Sequence, residues 1–414
     1  MTATERRASV SLASIFALRM LGLFLVLPVF ALEAAKYPGG DDPVRVGLAM
    51  GIYGLTQGLL QIPFGIASDW WGRKRVIISG LVIFALGSLM AAWAPDLSWL
   101  IAGRSLQGAG AISAAVTALL ADATRDEVRT KAMALVGGSI ALMFALSLVA
   151  APLLGGLIGL HGLFALTGVL ALAGIAVVVW WVPPEPQEHI SRPRGSVAEV
   201  LKDVALLRLD FGVFILHAVQ LAMWVAIPAL LVGAGLDKAG HWQVYLPAVL
   251  ASFVVMGVTL FPLERRGYLR AVFLGAIGLI GLVQLGLLWA TVVASGSGAL
   301  PAPYGMGVLA VLLFLFFCGF NVLEATQPSL ASRVAPAHAR GAALGVYNTL
   351  QSLGFFAGGA VGGWLTKTQG AEGLFAVCGG LMLLWLLVAW PMRAPSRHGA
   401  AAVTGGHGAA RPAS

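Results

Sequence analysis

The chain has 414 residues, 59% of them hydrophobic and only 11% charged, with a formal net charge of +8. Soluble domains carry about 25% charged and about 45–50% apolar residues, so a mean hydropathy of +0.89 over this length excludes a water-soluble fold. Some 59% of 414 residues is enough for about twelve helices of the roughly 20 residues that a span requires.

In chain order, residues 1–9 with Arg6 and Arg7 precede an apolar run over 10–34. That run is too long for a signal-peptide core and lacks a small-residue cleavage site, so it reads as an uncleaved first span. Runs at 45–68, 76–94, 98–121, 132–158 and 161–182 complete a first set of six. Residues 183–205 form a polar linker that holds Pro183, Pro184, Pro186 and Pro193 with Glu185, Glu188, Arg192 and Arg194. At its end Val197, Val200, Leu201 and Val204 recur at helical spacing, which predicts a short interfacial helix leading to span seven. Runs at 206–233, 241–263, 270–293, 304–331, 340–366 and 371–392 make a second six, and 393–414 reads as a disordered tail. The expected architecture is an all-α membrane protein of twelve transmembrane helices in two six-helix bundles, 1–182 and 206–392.

With the N-terminus inside, the cytosolic loops collect 20 of the 26 Lys and Arg, and the outer loops hold four: Lys36, Arg45, Lys238 and Lys367. The positive-inside rule then puts both termini in the cytosol, so the basic excess is a topology signal with no nucleic-acid partner behind it. Cys318 and Cys378 sit in apolar runs and read as small core residues.

The two halves resemble each other. Asp69, Gly72 and Arg75 recur as Glu264, Gly267 and Arg270 at an offset of 195, and Arg129-Thr-Lys-Ala-Met133 recurs as Arg340-Gly-Ala-Ala-Leu344 at 211. Six-span repeats are a signature of secondary transporters, whose substrate site lies at mid-depth between the repeats.

Charges inside a bilayer cost about 2.5–3.5 kcal/mol each on insertion scales, so Arg19, Arg104, His217 and Glu324 must face protein or a wet cavity. Glu324, three residues after Asn321, is the first choice of proton carrier, and His217, titrating nearest neutrality, the second. Arg19 and Arg104 stay protonated; they hold a nearby acid or an anionic substrate, or tie helices through backbone carbonyls. Gln57, Gln107, Gln220, Trp224, Asn321, Asn348 and Gln351 are the candidate substrate contacts, although amides also join helices. Asp210 and Glu33 read as interfacial residues in headgroup water.

The loop Gly65-Ile-Ala-Ser-Asp69-Trp-Trp-Gly72-Arg73-Lys74-Arg75 needs Gly72 for its tight reversal. Asp69 is costly at a helix end unless paired, and Asp122 at the end of span four is a natural partner for Arg73. Asp69, Gly72, Arg73 and Asp122 therefore form a candidate gating network. This loop resembles the G-x3-D-x2-G-R-[RK] signature of the major facilitator superfamily. Leu100-Ile-Ala-Gly-Arg104-Ser-Leu-Gln107-Gly108-Ala-Gly110 resembles that family's span-four motif, whose arginine is linked with proton coupling. Ser147-x3-Ala151-Pro152-Leu-Leu-Gly155-Gly156 resembles its antiporter motif, here Pro152, Gly155 and Gly156, with Ser147 and Ala151 in place of two glycines. Leu18-Arg19-Met20-Leu21-Gly22, Gly51-Ile-Tyr53-Gly54-Leu55-Thr56-Gln57, Gln61-Ile62-Pro63-Phe64-Gly65 and Asp122-Ala-Thr124-Arg125 extend the likeness, which is greatest to the YajR-like branch of proton-driven exporters. That branch's namesake carries a soluble domain after span twelve, and a tail of about 20 residues takes its place here.

The resemblance implies a facilitator fold of two pseudo-symmetric bundles, with spans one, four, seven and ten lining the cavity. Each of these spans supplies one of the four buried charged or titratable groups. No G-x4-G-K-[ST] loop, HExxH, paired CxxC or nucleophile elbow occurs, and the seven histidines form no metal cluster. The expected function is a proton-coupled antiporter of the cell inner membrane, exporting a small amphipathic compound or drug by alternating access. It would work as a monomer on the proton gradient alone, with no cofactor, nucleotide or metal and with the lipid bilayer as its surroundings. Two alternatives stay open: a proton symporter for a metabolite or organic anion, and a non-transporting membrane sensor or scaffold.

Overall fold

In a computed structural model the described residues are 1–185, 197–297, 304–336 and 338–392; the expected tail and residues 186–196 of the linker lie outside them. The helices are α1 Ala3–Ala34, α2 Pro43–Trp71, α3 Arg73–Ala92, α4 Leu97–Ala109, α5 Ser113–Asp122, α6 Asp126–Ala176, α7 Val197–Val200, α8 Val204–Gly233, α9 Trp242–Arg265, α10 Leu269–Ser297, α11 Tyr304–Val334 and α12 Arg340–Ala389. Eight helical stretches are long and apolar enough to cross a membrane.

Two of these, α6 with 51 residues and α12 with 50, turn back on themselves at Gly159 (φ 65°) and Gly370 (φ 69°). A positive φ is cheap only for glycine, so each reversal sits where the sequence permits it. The two glycines are separated by the same 211 residues that relate the repeats. Each limb counts as one span, and with α2 and the α4–α5 pair the described residues supply twelve.

Span four, expected to be continuous, is broken between Ala109 and Ser113. Gly110 packs so closely on the Gly80 backbone that a Cβ would not fit, and its carbonyl accepts from Arg19 Nη2 at 3.3 Å. The break therefore opens a carbonyl for a buried cation. The interfacial helix is also shorter than its periodicity predicts: α7 ends at Val200, because the Asp203 side chain accepts from the Ala205 and Leu206 amides and starts α8 afresh. Val200 is buried, whereas Val197, Leu201 and Val204 are exposed.

The packing distinguishes the two ends of the bundle. The face bearing the linker and the α2–α3 loop is called the linker face here, and the opposite one the far face. One large apolar cluster joins both halves toward the far face, through Val29, Phe30, Met50, Leu148 and Phe164 on one side and Trp224, Tyr245, Phe316 and Leu365 on the other. Toward the linker face the cores separate, with Leu12, Ile15, Val76, Ile112 and Leu120 in the first half and Val200, Leu206, Ala339 and Val346 in the second. At the far end α2 meets α12 backbone to backbone, since a Cβ on Gly47 or Gly363 would run into the other helix.

Candidate functional site

Of the four groups expected inside the membrane, Arg19, Arg104 and His217 are buried among helices and Glu324 is partly exposed. Arg19 is 1% exposed. It donates to Tyr53 Oη (2.8 Å), Gln57 Oε1 (3.0 Å), Ser113 Oγ (3.0 Å) and the Gly110 carbonyl. Arg104, equally buried, donates to Gln107 Oε1 (3.1 Å) and the Ala49 and Met50 carbonyls, with the Tyr53 ring 5.1 Å from its guanidinium carbon. The partners found for both cations are neutral. Arg19 thus ties α1 to α2 and to the α4–α5 pair, and Arg104 ties α4 to α2.

The second half differs. His217 Nδ1 lies 2.9 Å from the Val213 carbonyl, which can only accept, so Nδ1 carries the proton and Nε2 is left to accept or gain one. Nε2 is 2.7 Å from Gln351 Nε2 and 3.3 Å from Glu324 Oε2, and Gln351 Nε2 also reaches Glu324 Oε1 at 3.4 Å. The His217 side chain is 2% exposed but that of Glu324 is 40% exposed. Phe320 and Phe355 pack edge-on against the imidazole. The arrangement can place one proton on either Glu324 or His217 and hold the pair together in both cases.

The expected substrate contacts divide. Gln57 bridges the halves, accepting from Arg19 and donating to Ser352 Oγ at 3.1 Å. Asn348 is partly buried on α12, and Gln351 joins the His217–Glu324 pair. Gln220 and Trp224 line a narrow apolar crevice with Met223, Ile227, Leu313, Phe316 and Phe317, and Gln220 Oε1 has no partner. Two expectations are corrected. Gln107 is 1% exposed, accepting from Arg104 and donating to Ser88 Oγ at 2.8 Å; Asn321 donates to Ser252 Oγ at 2.7 Å. Both ends of the Gln107 amide are used inside the first half, and Asn321 spends its amide nitrogen inside the second.

At the linker face Arg73 pairs with Asp69 (2.5 Å) and Asp122 (3.2 Å), and Gly72 makes the reversal at φ 94°. The whole network lies within the first half. Glu185, which the sequence marks only as linker, accepts from the Arg73 and Lys74 amides at 3.1 and 2.7 Å and so caps α3. In the second half Gly267 repeats the turn at φ 89°, and Glu264 pairs with Arg333 at 2.9 Å. Of the antiporter-motif residues, Pro152 and Gly155 are buried, Gly155 near Val29 of α1, whereas Gly156 points outward.

Two more acids differ from the expectation of headgroup water. Glu33 is 6% exposed and pairs with Lys36 and with Lys238 of the α8–α9 loop, which links the halves at the far face. Asp42 pairs with Lys367 at 3.2 Å across the same face. Asp210 is 3% exposed, with Oδ2 unpartnered. The seven-residue spacing that sets Asp210 on the His217 face of α8 was the available signal.

The family model described as Major Facilitator Superfamily matches residues 12–359 and again 309–413. The chain belongs to the major facilitator superfamily. Inner membrane transport protein YajR of Escherichia coli (strain K12) is 41% identical over 95% of this chain and 85% of its own length. Multidrug resistance protein MdtH of Aeromonas salmonicida (strain A449) is 26% identical over 86% of each chain. The crystal structure of an auto-inhibited POT family peptide transporter superposes with a TM-score of 0.73 at 14% identity, covering 95% of this chain and 99% of that one, so the fold is shared. Membership makes this facilitator a membrane transporter rather than an enzyme.

Proposed function

We propose that this facilitator is a proton-coupled antiporter of the cell inner membrane that exports a small amphipathic molecule. The observation that carries the reading is the contrast at mid-depth: the Glu324 side chain, beside His217 and Gln351, is 40% exposed in the second half, while Arg19 and Arg104 are sealed within the first. A half-exposed acid beside a histidine can exchange a proton with the cavity. Sealed arginines bonded to neutral acceptors have no donors turned toward an anionic cargo, which counts against organic-anion uptake. The part-exposed Glu324 favours a cargo with a neutral or cationic head.

The relatives named as a transport protein and a multidrug resistance protein support export across the inner membrane. In this reading the linker face and both termini are cytosolic, the monomer is the working unit, and the proton gradient is the only cofactor. The far face, held by Glu33–Lys238 and Asp42–Lys367, is closed, so the cavity faces the cytosol. A proton arriving at Glu324 from outside neutralises it, weakens its hold on the cargo and lets the halves rock back.

The test begins with a growth screen of an overexpressing strain against toxic compounds, with and without a protonophore. The compound that scores is then carried into proteoliposomes under a pH gradient. Glu324→Gln is expected to abolish gradient-driven transport, and undiminished transport by that variant would overturn the reading.

A further inference from the structure

Beneath the Glu324 cluster lies a second layer built from the same three helices. At mid-depth α8, α11 and α12 contribute His217, Glu324 and Gln351. Nearer the linker face they contribute Asp210, Gln327 and Tyr347, displaced by seven, three and four residues, spacings that keep each pair on one helix face. The seven-residue step on α8 is about 10 Å of helix rise. The lower layer is closed from water: Asp210 is 3%, Gln327 0% and Tyr347 1% exposed. The Tyr347 hydroxyl donates to Gln327 Oε1 at 3.3 Å, while Asp210 Oδ2 and Gln327 Nε2 have no partner. Both the Asp210 and Glu324 carboxyls lie within electrostatic reach of the Tyr347 phenol.

We propose that Asp210 is a second proton-binding carboxyl of this transporter, one layer toward the linker face from Glu324. The ionisable groups around it are Tyr347 on α12, Glu324 on α11 and His217 on its own helix; α1 and α2 also pack on α8, and no described Lys or Arg offsets its charge. A lone carboxylate in so dry a setting is costly, and binding a proton removes that cost. When the helices part and water enters the layer, the Asp210 carboxyl passes its proton to a water molecule, leaving a carboxylate and a hydronium ion. The part of Asp210 in transport rests on the proton-coupled reading above; its protonation does not.

The test is infrared difference spectroscopy of the reconstituted full chain, titrated through neutral pH and followed at the C=O stretch of protonated carboxyls. The wild type is expected to lose two such bands on alkalinisation. Asp210→Asn should lack one and Glu324→Gln the other, while Asp210→Glu should keep both with one displaced. If Asp210→Asn retains both bands, the proposal fails. If that variant does not reconstitute, Glu324→Gln decides, because a remaining titrating band is expected there and its absence overturns the proposal. Should Glu324→Gln keep both bands while Asp210→Asn loses one, the Glu324 reading falls and the Asp210 assignment stands.

Discussion

The two halves share their backbone devices and differ in their chemistry. Gly72 and Gly267 make the same reversal at φ 94° and 89°, and Gly159 and Gly370 the same return at 65° and 69°. Even the ion pairs at the linker face repeat, with their signs exchanged: Arg73 with Asp122 in one half, Glu264 with Arg333 in the other. At mid-depth the likeness ends. The first half holds two permanent cations bonded to neutral acceptors, Arg19 with only its Nε unpartnered, whereas the second holds Glu324, His217 and Asp210, acids and a base with unmet or shared bonds. Duplication preserved what shapes the bundle, and the capacity to change charge is concentrated in one copy. In the proposed reading the first half is a fixed electrostatic frame and the second is the half that binds and releases protons.

The strongest test of that division exchanges the expected losses. A hydrogen bond to a charged group is worth about 1.5–3 kcal/mol, and Arg19 makes four, so Arg19→Leu, like Arg104→Leu, should cost on the order of 3 kcal/mol after relaxation. Both variants should melt well below the parent in detergent while the titration of the Glu324 cluster keeps its midpoint. Glu324→Gln should do the opposite, melting near the parent and losing the titration. An arginine variant that moved the midpoint and not the melting temperature would dissolve the distinction between frame and titrating half.

Much of this frame is legible in the sequence, because charge in a bilayer is expensive and therefore conspicuous. The spans, the 20-to-4 basic asymmetry, the repeat offsets and the four groups Arg19, Arg104, His217 and Glu324 all follow from that expense. Partners contributed by other helices are less legible. Gln107 and Asn321 were expected in the cavity, and what removes them is Ser88 on α3 and Ser252 on α9, neither of which is near in sequence. Asp210, six residues into α8, has the depth of an interfacial residue; its burial comes from α12 lying over it. Glu33 similarly has the position of a headgroup residue, and only the fold brings Lys238 from 205 residues away.

The halves also differ in where they touch, and the far-face latch can be weakened alone. Glu33→Gln with Lys238→Ala removes one cross-half ion pair, and Lys367→Ala removes a more exposed one. Ion pairs at such surfaces are worth about 1 kcal/mol at most, so the expected result is up to about a fivefold shift toward far-face opening for the double variant and less for Lys367→Ala. Spin labels replacing the exposed Trp93 and Trp364 would report it as a longer distance population. An unchanged distribution in the double variant would show that the glycine contacts between α2 and α12 hold the far face by themselves.

The smallest expected effect concerns the N-terminal turn of the first half. Thr2 and Glu5 form a capping box on α1, and Glu5 also pairs with Arg125 at 2.7 Å, joining the chain's start to the beginning of α6. The Arg125 guanidinium, followed by the Thr2 amide, holds the Glu5 carboxyl below its ordinary 4.5, at about 2. A depressed carboxylate pKa stabilises the folded turn above 4.5, and that contribution fades as pH falls from 4.5 toward 2. Hydrogen exchange at the first turns of α1 should therefore be faster in Glu5→Gln than in the parent at neutral pH, with the difference narrowing through that acid window. A difference that stayed constant down to pH 2 would mean that the turn is held by the Thr2 cap and not by the charge on Glu5.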